Sequence, residues 1–292
     1  MSKRNDDHES YHPLIPRLRD IPLHHERALH RAYGNQTIKL LGDGNVASVY
    51  AVQSKEGPVA VKMRSDLIIT AWGPPQPEEY SVRDESFKND LEKQFHLNGH
   101  LSAEEKEYVR VGDTIHTAVE PLNDNAHFNI TWIEMPYDPE GRPLSQLEVE
   151  AKLNDVDTLR AILHDVLLGL RHCHKAGVIH GDIDASNMIV SGAARTSLID
   201  FGLSRQIGHE TALSTINPKH GFAAWGAPER TAPELREQAL ASPAWDVYGF
   251  GSFIQKHQPA SHRALRGSTE ALSIDPTQRP TIEELLASVS EW

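Results

Sequence analysis

With one cysteine, Cys173, in 292 residues, this chain has no second thiol for an internal disulfide, and a reducing compartment suits it. Long apolar runs are missing as well. Stretches such as Val59–Val61 and Leu67–Ile69 fall far short of the roughly 20 residues that a membrane-spanning helix needs. The first residues, Met1-Ser2-Lys3-Arg4-Asn5-Asp6-Asp7, lack the hydrophobic stretch of a signal peptide. These absences lead to the expectation of a cytoplasmic protein with no membrane partner. A surplus of positive charge is also lacking: Lys and Arg number 29 against 41 Asp and Glu, a net charge of −12. General affinity for nucleic acid depends on clustered cations, so no nucleic-acid partner is expected, while a small, locally positive nucleotide site remains compatible. The 17 histidines are scattered, and neither His24-His25 nor the His172/His174 pair has Cys or carboxylate neighbours at zinc-ligand spacing. There is no repeat at 20–50-residue spacing and no low-complexity tract.

What is present is ordinary globular material, 39% hydrophobic and 24% charged, enough for one large domain or two lobes around one cleft. Residues 1–35 are polar and interrupted by Pro13, Pro16 and Pro22. They read as an extended or partly disordered lead-in, within which Ile21–Tyr33 has room for a short helix. Thr37–Leu41, Val46–Gln53 and Pro58–Met63 then read as strands of an antiparallel meander, separated by glycine-containing turns. After the proline-rich loop Ala71–Pro77, Phe87, Leu91 and Phe95 at four-residue steps predict a helix. Two more strands follow, Asp113–Pro121 and Phe128–Met135. The strongest helix signal spans Asp157–Lys175, with Leu159, Ile162, Leu163, Val166, Leu167 and Leu170 on one face and Gly177 just past its end. Strands first and helices afterwards imply an α+β fold of two unequal lobes.

The chemistry is concentrated in two short stretches. His180-Gly181-Asp182-Ile183-Asp184-Ala185-Ser186-Asn187 places Asp182 and Asn187 five residues apart in one loop. Asp200, in Ile199-Asp200-Phe201-Gly202, follows after a length suited to a β-hairpin. That spacing suits a carboxylate, an amide and a second carboxylate converging on one phosphate–magnesium centre. Upstream, Val59-Ala60-Val61-Lys62 puts a lysine in an alternating apolar strand, where its ammonium needs an anionic partner. Gly42-Asp43-Gly44 fits a hairpin turn as well as a phosphate-covering loop.

Together these stretches closely match the catalytic and metal-binding loops of protein kinases, and the chain resembles a eukaryotic-type, Ser/Thr-like protein kinase domain. Ala227-Pro228-Glu229, Asp246-Val247-Tyr248-Gly249-Phe250-Gly251 and Asp275-Pro276-Thr277-Gln278-Arg279-Pro280 extend the resemblance from about Ile38 to Leu286. It implies a two-lobed kinase fold, with a small antiparallel β-rich N-lobe over residues 36–136 and a mainly helical, shortened C-lobe over 137–292. It also implies ATP and Mg²⁺ as cofactors and a protein substrate, selected at the cleft and Phe222–Gly226 or through a separate docking partner. By the same resemblance, Asp182 orients or deprotonates the acceptor hydroxyl, and Asn187 and Asp200 hold the metal. Lys62 contacts the α- and β-phosphates and pairs with an acidic residue of the following helix, for which Glu92 is chosen over Asp90 and Glu85. Gly42 and Gly44 cover the phosphates, Val49 and Ala60 flank the adenine, and Ile133 limits the depth of its pocket. The Glu134 carbonyl accepts from the base, and Arg279 pairs with Glu229.

Four departures qualify this picture. Gly181 stands where much of the family has the arginine that docks an activation-segment phosphate, so phosphorylation of Thr211, Ser214 or Thr215 lacks its main docking charge. Asp184 replaces a lysine that touches the γ-phosphate, so it repels the phosphate, turns away, or helps to hold metal. Pro136 falls at the usual hinge donor and has no N–H, which costs the base a hydrogen bond worth about 0.5–1.5 kcal/mol. Only 27 residues separate Gly251 from Arg279, so the helix that usually docks substrates or regulators is expected to be cut away. The expected function is an ATP- and Mg²⁺-dependent protein kinase acting on Ser or Thr. A small-molecule phosphotransferase of kinase fold and a nucleotide-binding pseudokinase scaffold are the alternatives.

Overall fold

Strand alternation in the N-terminal part produces a sheet with two very different faces. The computed structural model describes residues 21–44, 47–69, 82–123, 126–149, 155–192, 194–209, 232–233, 240–258 and 265–292. Helix α1 (Ile21–Tyr33) precedes strands β1 (Lys39–Asp43), β2 (Ser48–Ser54) and β3 (Gly57–Ile69). Helix α2 (Val82–His100) then leads to β4 (Thr114–Asn123) and β5 (Ala126–Pro136). The five strands pair antiparallel in the order β1-β2-β3-β5-β4. Register places Val49, Lys62 and Ile133 in one row across the sheet, and Tyr50, Val61 and Glu134 in the next. Because neighbouring rows point to opposite faces, Lys62 looks into the molecule and Glu134 looks out.

The outward row would expose Tyr50, Val52, Val61, Met63, Phe128, Ile130 and Trp132, yet all are buried, because α1 lies across them with Ala28 and Leu29 in contact. Of the expected lead-in over residues 1–35, the part read as a short helix packed on the domain takes that form. The helix expected at Ile21–Tyr33 is there, and it forms part of the N-lobe; residues 1–20 lie outside the described residues. Its helical spacing brings His24, His25, Ala28 and Leu29 to the buried side. His25 bridges two strands, Nδ1 to the Tyr50 hydroxyl at 3.0 Å and Nε2 to Ser65 Oγ at 2.5 Å.

The C-lobe opens with strand β6 (Arg142–Pro143) and helix α3 (Leu144–Val149) and is built around α4 (Val156–Lys175). Its start is capped by Asp155, which accepts from Thr158 N, and Gly177 just beyond its end takes a φ of +78°, a conformation that glycine adopts without penalty. The predicted apolar face of α4 packs with α5 (Ala244–His257) and α6 (Ile282–Glu291) around Phe250, Phe253, Leu285 and Val289. Between α5 and α6 the described residues carry only two short 3-10 turns, Glu270–Leu272 and Pro276–Gln278. A further buried cluster joins the lobes: Leu97 and Leu101 of α2 and its end meet Val109, Val111, Cys173, Val178 and the fully buried Phe201. That cluster fixes the position of Phe201, and with it the neighbouring Asp200.

Burial holds His25 neutral, lowering its pKa from 6.5 to about 4. The unfolded chain takes up this proton below 6.5 and the folded chain only near 4, so the contribution is complete above 6.5 and is lost as pH falls through that window. Between pH 7 and pH 5, wild type should therefore lose about 2 kcal/mol more stability than His25→Phe, as measured by urea unfolding.

Candidate active site

Lys62 is almost fully buried on the inner face of β3, where an unpaired ammonium would be strongly disfavoured. Two carboxylates meet it: Asp90 Oδ2 from α2 at 2.9 Å and Asp200 Oδ1 at 2.9 Å. Burial alone would lower its pKa, but the two anions outweigh that and hold it above the ordinary lysine range. For Asp200 burial acts upwards, and the Lys62 charge and hydrogen bond overcome it to leave the carboxyl below its usual range. One ammonium between two carboxylates leaves a surplus negative charge, which suits a site that also takes a divalent cation.

The helix partner of Lys62 is therefore Asp90, and the expectation of Glu92 is corrected. Glu92 is exposed on the far side of α2, 4.0 Å from Lys88, and Phe95 is 43% exposed. The stripe that faces inward is Phe87, Asp90, Gln94 and Leu97. Its two polar members serve buried backbone: Asp90 Oδ1 accepts Phe201 N at 2.8 Å, and Gln94 Oε1 accepts Gly112 N at 2.8 Å. Asn89 adds a clamp, its Nδ2 lying 3.0–3.1 Å from the carbonyls of Phe201, Gly202 and Ser204. The signal in the sequence was the 87–90–94–97 spacing, whose polar members masked its helical period.

Beside Lys62 the inner face carries Ala51 and Ala60 opposite Met135, a shallow floor of small side chains, with Val49 and the fully buried Ile133 alongside. Gly112 runs close behind this edge. A Cβ there would come within 2.3 Å of the Glu134 carbonyl oxygen and 2.5 Å of Ile133 Cγ1, so only glycine fits. Gly42 lies in exposed β1 with open space where a Cβ would be, and Gly44 N donates to Ala47 O at 3.1 Å, closing a hairpin turn. Asn45 and Val46 lie outside the described residues.

The loop after β7 (Val178–Ile179) is held from below by Asp246 of α5, which accepts His180 N at 2.9 Å and Gly181 N at 2.8 Å and bonds His174 Nε2 at 2.8 Å. Burial alone would raise the pKa of Asp246; the His174 bond and these amides reverse the sign and keep it ionised. His180 Nε2 faces Ile199 O at 3.1 Å, and its Nδ1 accepts Asp182 N at 3.3 Å, which places the ring proton on Nε2. Gly181 has φ +82°, and a Cβ there would sit 2.6 Å from Leu203 O. The residue absent from the usual pattern is thus one for which the backbone leaves no room.

Asp184 begins the 3-10 turn Ala185–Asn187 and accepts Ser186 N at 3.0 Å and Ser186 Oγ at 2.6 Å. Of the three roles expected for it, capping favours the carboxylate that turns away from the phosphate. Asn187 is buried at the end of that turn and donates Nδ2 to Asp182 Oδ2 at 2.8 Å and to Asp182 O at 3.1 Å, fixing the Asp182 carboxylate. The hairpin of β8 (Met188–Ser191) and β9 (Arg195–Leu198) pairs Met188 with Leu198, and Ile199 N donates to Asn187 O at 3.0 Å. This register brings Asn187 and Asp200 to the same open end. Asp200 itself takes φ +67°, held by Lys62 and by Gly202 N at 3.2 Å.

The donor chemistry suits Mg²⁺. With Nδ2 committed to Asp182, Asn187 presents its amide oxygen the other way, and Asp200 keeps Oδ2 beyond the oxygen that holds Lys62; both are hard oxygen donors. Arg279 is buried, donating to Ser273 O and Ala244 O and lying 5.0 Å over the Tyr248 ring. Its expected partner Glu229 lies outside the described residues, as do Thr211, Ser214, Thr215 and Phe222–Gly226.

Part of the chain is similar to known proteins. Residues 127–258 match the family described as Protein kinase domain. A probable serine/threonine-protein kinase of Dictyostelium discoideum is 31% identical over 152 residues, 42% of this chain and 29% of its own. Serine/threonine-protein kinase SMU1 of Mycosarcoma maydis is 33% identical over 120 residues, 41% of this chain and 15% of its own. Serine/threonine-protein kinase PknL of Mycobacterium tuberculosis is 32% identical over 115 residues, 39% of this chain and 27% of its own. The matched stretch thus spans less than a third of the length of each of these relatives.

Two substitutions test the geometry through urea unfolding. Asp90→Asn should cost about 3 kcal/mol, because a buried ammonium loses a partner, whereas Glu92→Gln should stay within about 0.5 kcal/mol of wild type. Gly181→Ala should cost about 1–2 kcal/mol or more, since a left-handed backbone is combined with a contact against Leu203 O.

Proposed function

We propose, from the premise that this chain carries a protein kinase domain, that it transfers the γ-phosphate of ATP to Ser or Thr hydroxyls of a protein substrate with Mg²⁺ as cofactor. The observation that carries this reading is the meeting of Lys62, Asp90 and Asp200 beside the Asp182–Asn187 pair. Lys62 is held to receive phosphate oxygens, and Asp90 keeps it in place when Asp200 turns to metal. Asn187 and Asp200 would hold Mg²⁺, which supplies positive charge against the triphosphate.

Asp182 is oriented by Asn187 and by the loop amide bonded to His180. The acceptor oxygen attacks the γ-phosphorus, the bond to the β–γ bridging oxygen breaks, and ADP leaves with that electron pair. The hydroxyl proton passes to the Asp182 carboxylate. Positioning and charge neutralisation do most of the work, as phosphoryl transfer requires. The Ala51–Ala60 floor receives the adenine, and the Glu134 carbonyl accepts from it. Identity to serine/threonine-protein kinases supports the acceptor class. The short connection between α5 and α6 supports substrate selection at the cleft or through a separate docking partner.

A γ-labelled ATP assay on the purified chain, offered Ser/Thr peptides and small hydroxyl compounds in parallel, tests this. Label should enter the peptides only when Mg²⁺ is present, and Asp182→Ala and Asp200→Ala should each lower the rate by roughly 100-fold or more. Label confined to the small compounds, or transfer that survives both substitutions, would contradict the proposal.

A further inference from the structure

One side chain connects α1 to the strand that borders the proposed nucleotide site. Tyr33, the last residue of α1, donates its hydroxyl hydrogen to Glu134 Oε1 at 2.5 Å and accepts Trp132 Nε1–H at 3.1 Å. His116 Nε2 from β4 lies 2.6 Å from the same carboxylate oxygen, and the His116 ring stacks on Trp132 with centroids 5.1 Å apart. Burial first, and then the Glu134 bond, raise the Tyr33 phenol above its ordinary pKa, so it remains a donor at neutral pH. The rest of α1 is fastened to the same sheet: Arg31 pairs with the buried Glu120 of β4, and His25 bonds to β2 and β3.

Glu134 is consequently gripped from two directions. Its side chain, on the outer face, is held by Tyr33 and His116, while its carbonyl packs against Gly112, where even a methyl group would approach within 2.3 Å. A strand residue fixed at both its side chain and its carbonyl has little freedom to rotate its peptide planes. Two residues on, β5 ends at Pro136, which offers a ligand no N–H. The base must therefore depend heavily on where the Glu134 peptide sits.

We propose that Tyr33 is a positioning residue for the nucleotide: by holding the Glu134 side chain across the sheet it sets the strand edge against which adenine docks. Helix α1 is then part of the nucleotide site as well as the cover of the N-lobe. This rests on the ATP reading above and deepens it by assigning base affinity to a contact on the far side of the sheet.

Titration calorimetry on the full chain separates this from a stability effect, with MgATP as one probe and magnesium tripolyphosphate, which has no base, as the other. Tyr33→Phe should weaken MgATP roughly three- to tenfold, as expected for loss of one hydrogen bond to a charged group, and leave tripolyphosphate within about twofold. Glu134→Ala, which leaves Tyr33 no acceptor on that side chain, should show the same selectivity, and the double variant should lose less than the product of the two single losses. Equal weakening toward both probes, or no change, would overturn the proposal. Should Tyr33→Phe not fold, Glu134→Ala decides the matter in its place: selective loss supports the proposal and unchanged ATP affinity overturns it. Failure of wild type to bind MgATP would overturn the nucleotide reading, and this proposal with it; binding by wild type with unchanged variants overturns this proposal alone.

Discussion

A single ammonium group, shared by two carboxylates from distant parts of the chain, holds the site together. Lys62 comes from a strand, Asp90 from the helix that follows, and Asp200 from a loop more than a hundred residues later. Burying that charge is tolerable only while its partners are in place, so the ion pairs dictate how α2 and the Asp200 loop sit against the sheet. The inter-lobe cluster around Phe201 and the Asn89 clamp do the same from the apolar and backbone sides. The three kinds of contact converge on two adjacent residues, Asp200 and Phe201.

The same sheet that points Lys62 inward points Glu134 outward, because the two belong to neighbouring rows. Whatever packs on the outer face thus acts on the edge of the inner one. Covering that face with α1 removes a large apolar surface from water, and it also brings Tyr33 onto the strand edge. On the other side of the site, the Asp246 carboxylate takes three hydrogen bonds from the His174–Gly181 region and so fixes the loop that carries Asp182. Each lobe delivers its part of the site from a rigid support, which is what the proposed phosphoryl transfer would demand.

Much of this was legible in the chain itself, for reasons that differ from element to element. Asp182, Asn187 and Asp200 sit within about twenty residues, so their spacing alone implies a loop, a hairpin and a return to the same place. The strands and α4 follow from apolar periods of two and of three to four residues, dense enough to show through single buried polar positions such as Lys62 and Asp165. Helix α2 broke that rule: two of its inward positions are Asp90 and Gln94, whose burial is justified only by Lys62, Phe201 N and Gly112 N. Apolar stepping therefore favoured the exposed Phe95 and led to Glu92. Tyr33 and Gly112 gave no local signal, since each acts through a contact with a strand far along the chain.

The departures at positions 181 and 184 also take on physical meaning once the backbone is seen. Gly181 answers to a left-handed turn pressed against Leu203 O, and Asp184 answers to the amide of Ser186. Both keep the Asp182 loop in shape. The measurement that tests the central claim most directly is a crystal structure of the chain with Mg²⁺ and a non-hydrolysable ATP analogue. Phosphate oxygens should lie on Lys62 with Asp90 still paired to it, metal on Asn187 and Asp200, and adenine over Ala60 against the Glu134 carbonyl. An analogue bound elsewhere, or Lys62 still paired to Asp200 with no phosphate in reach, would contradict it.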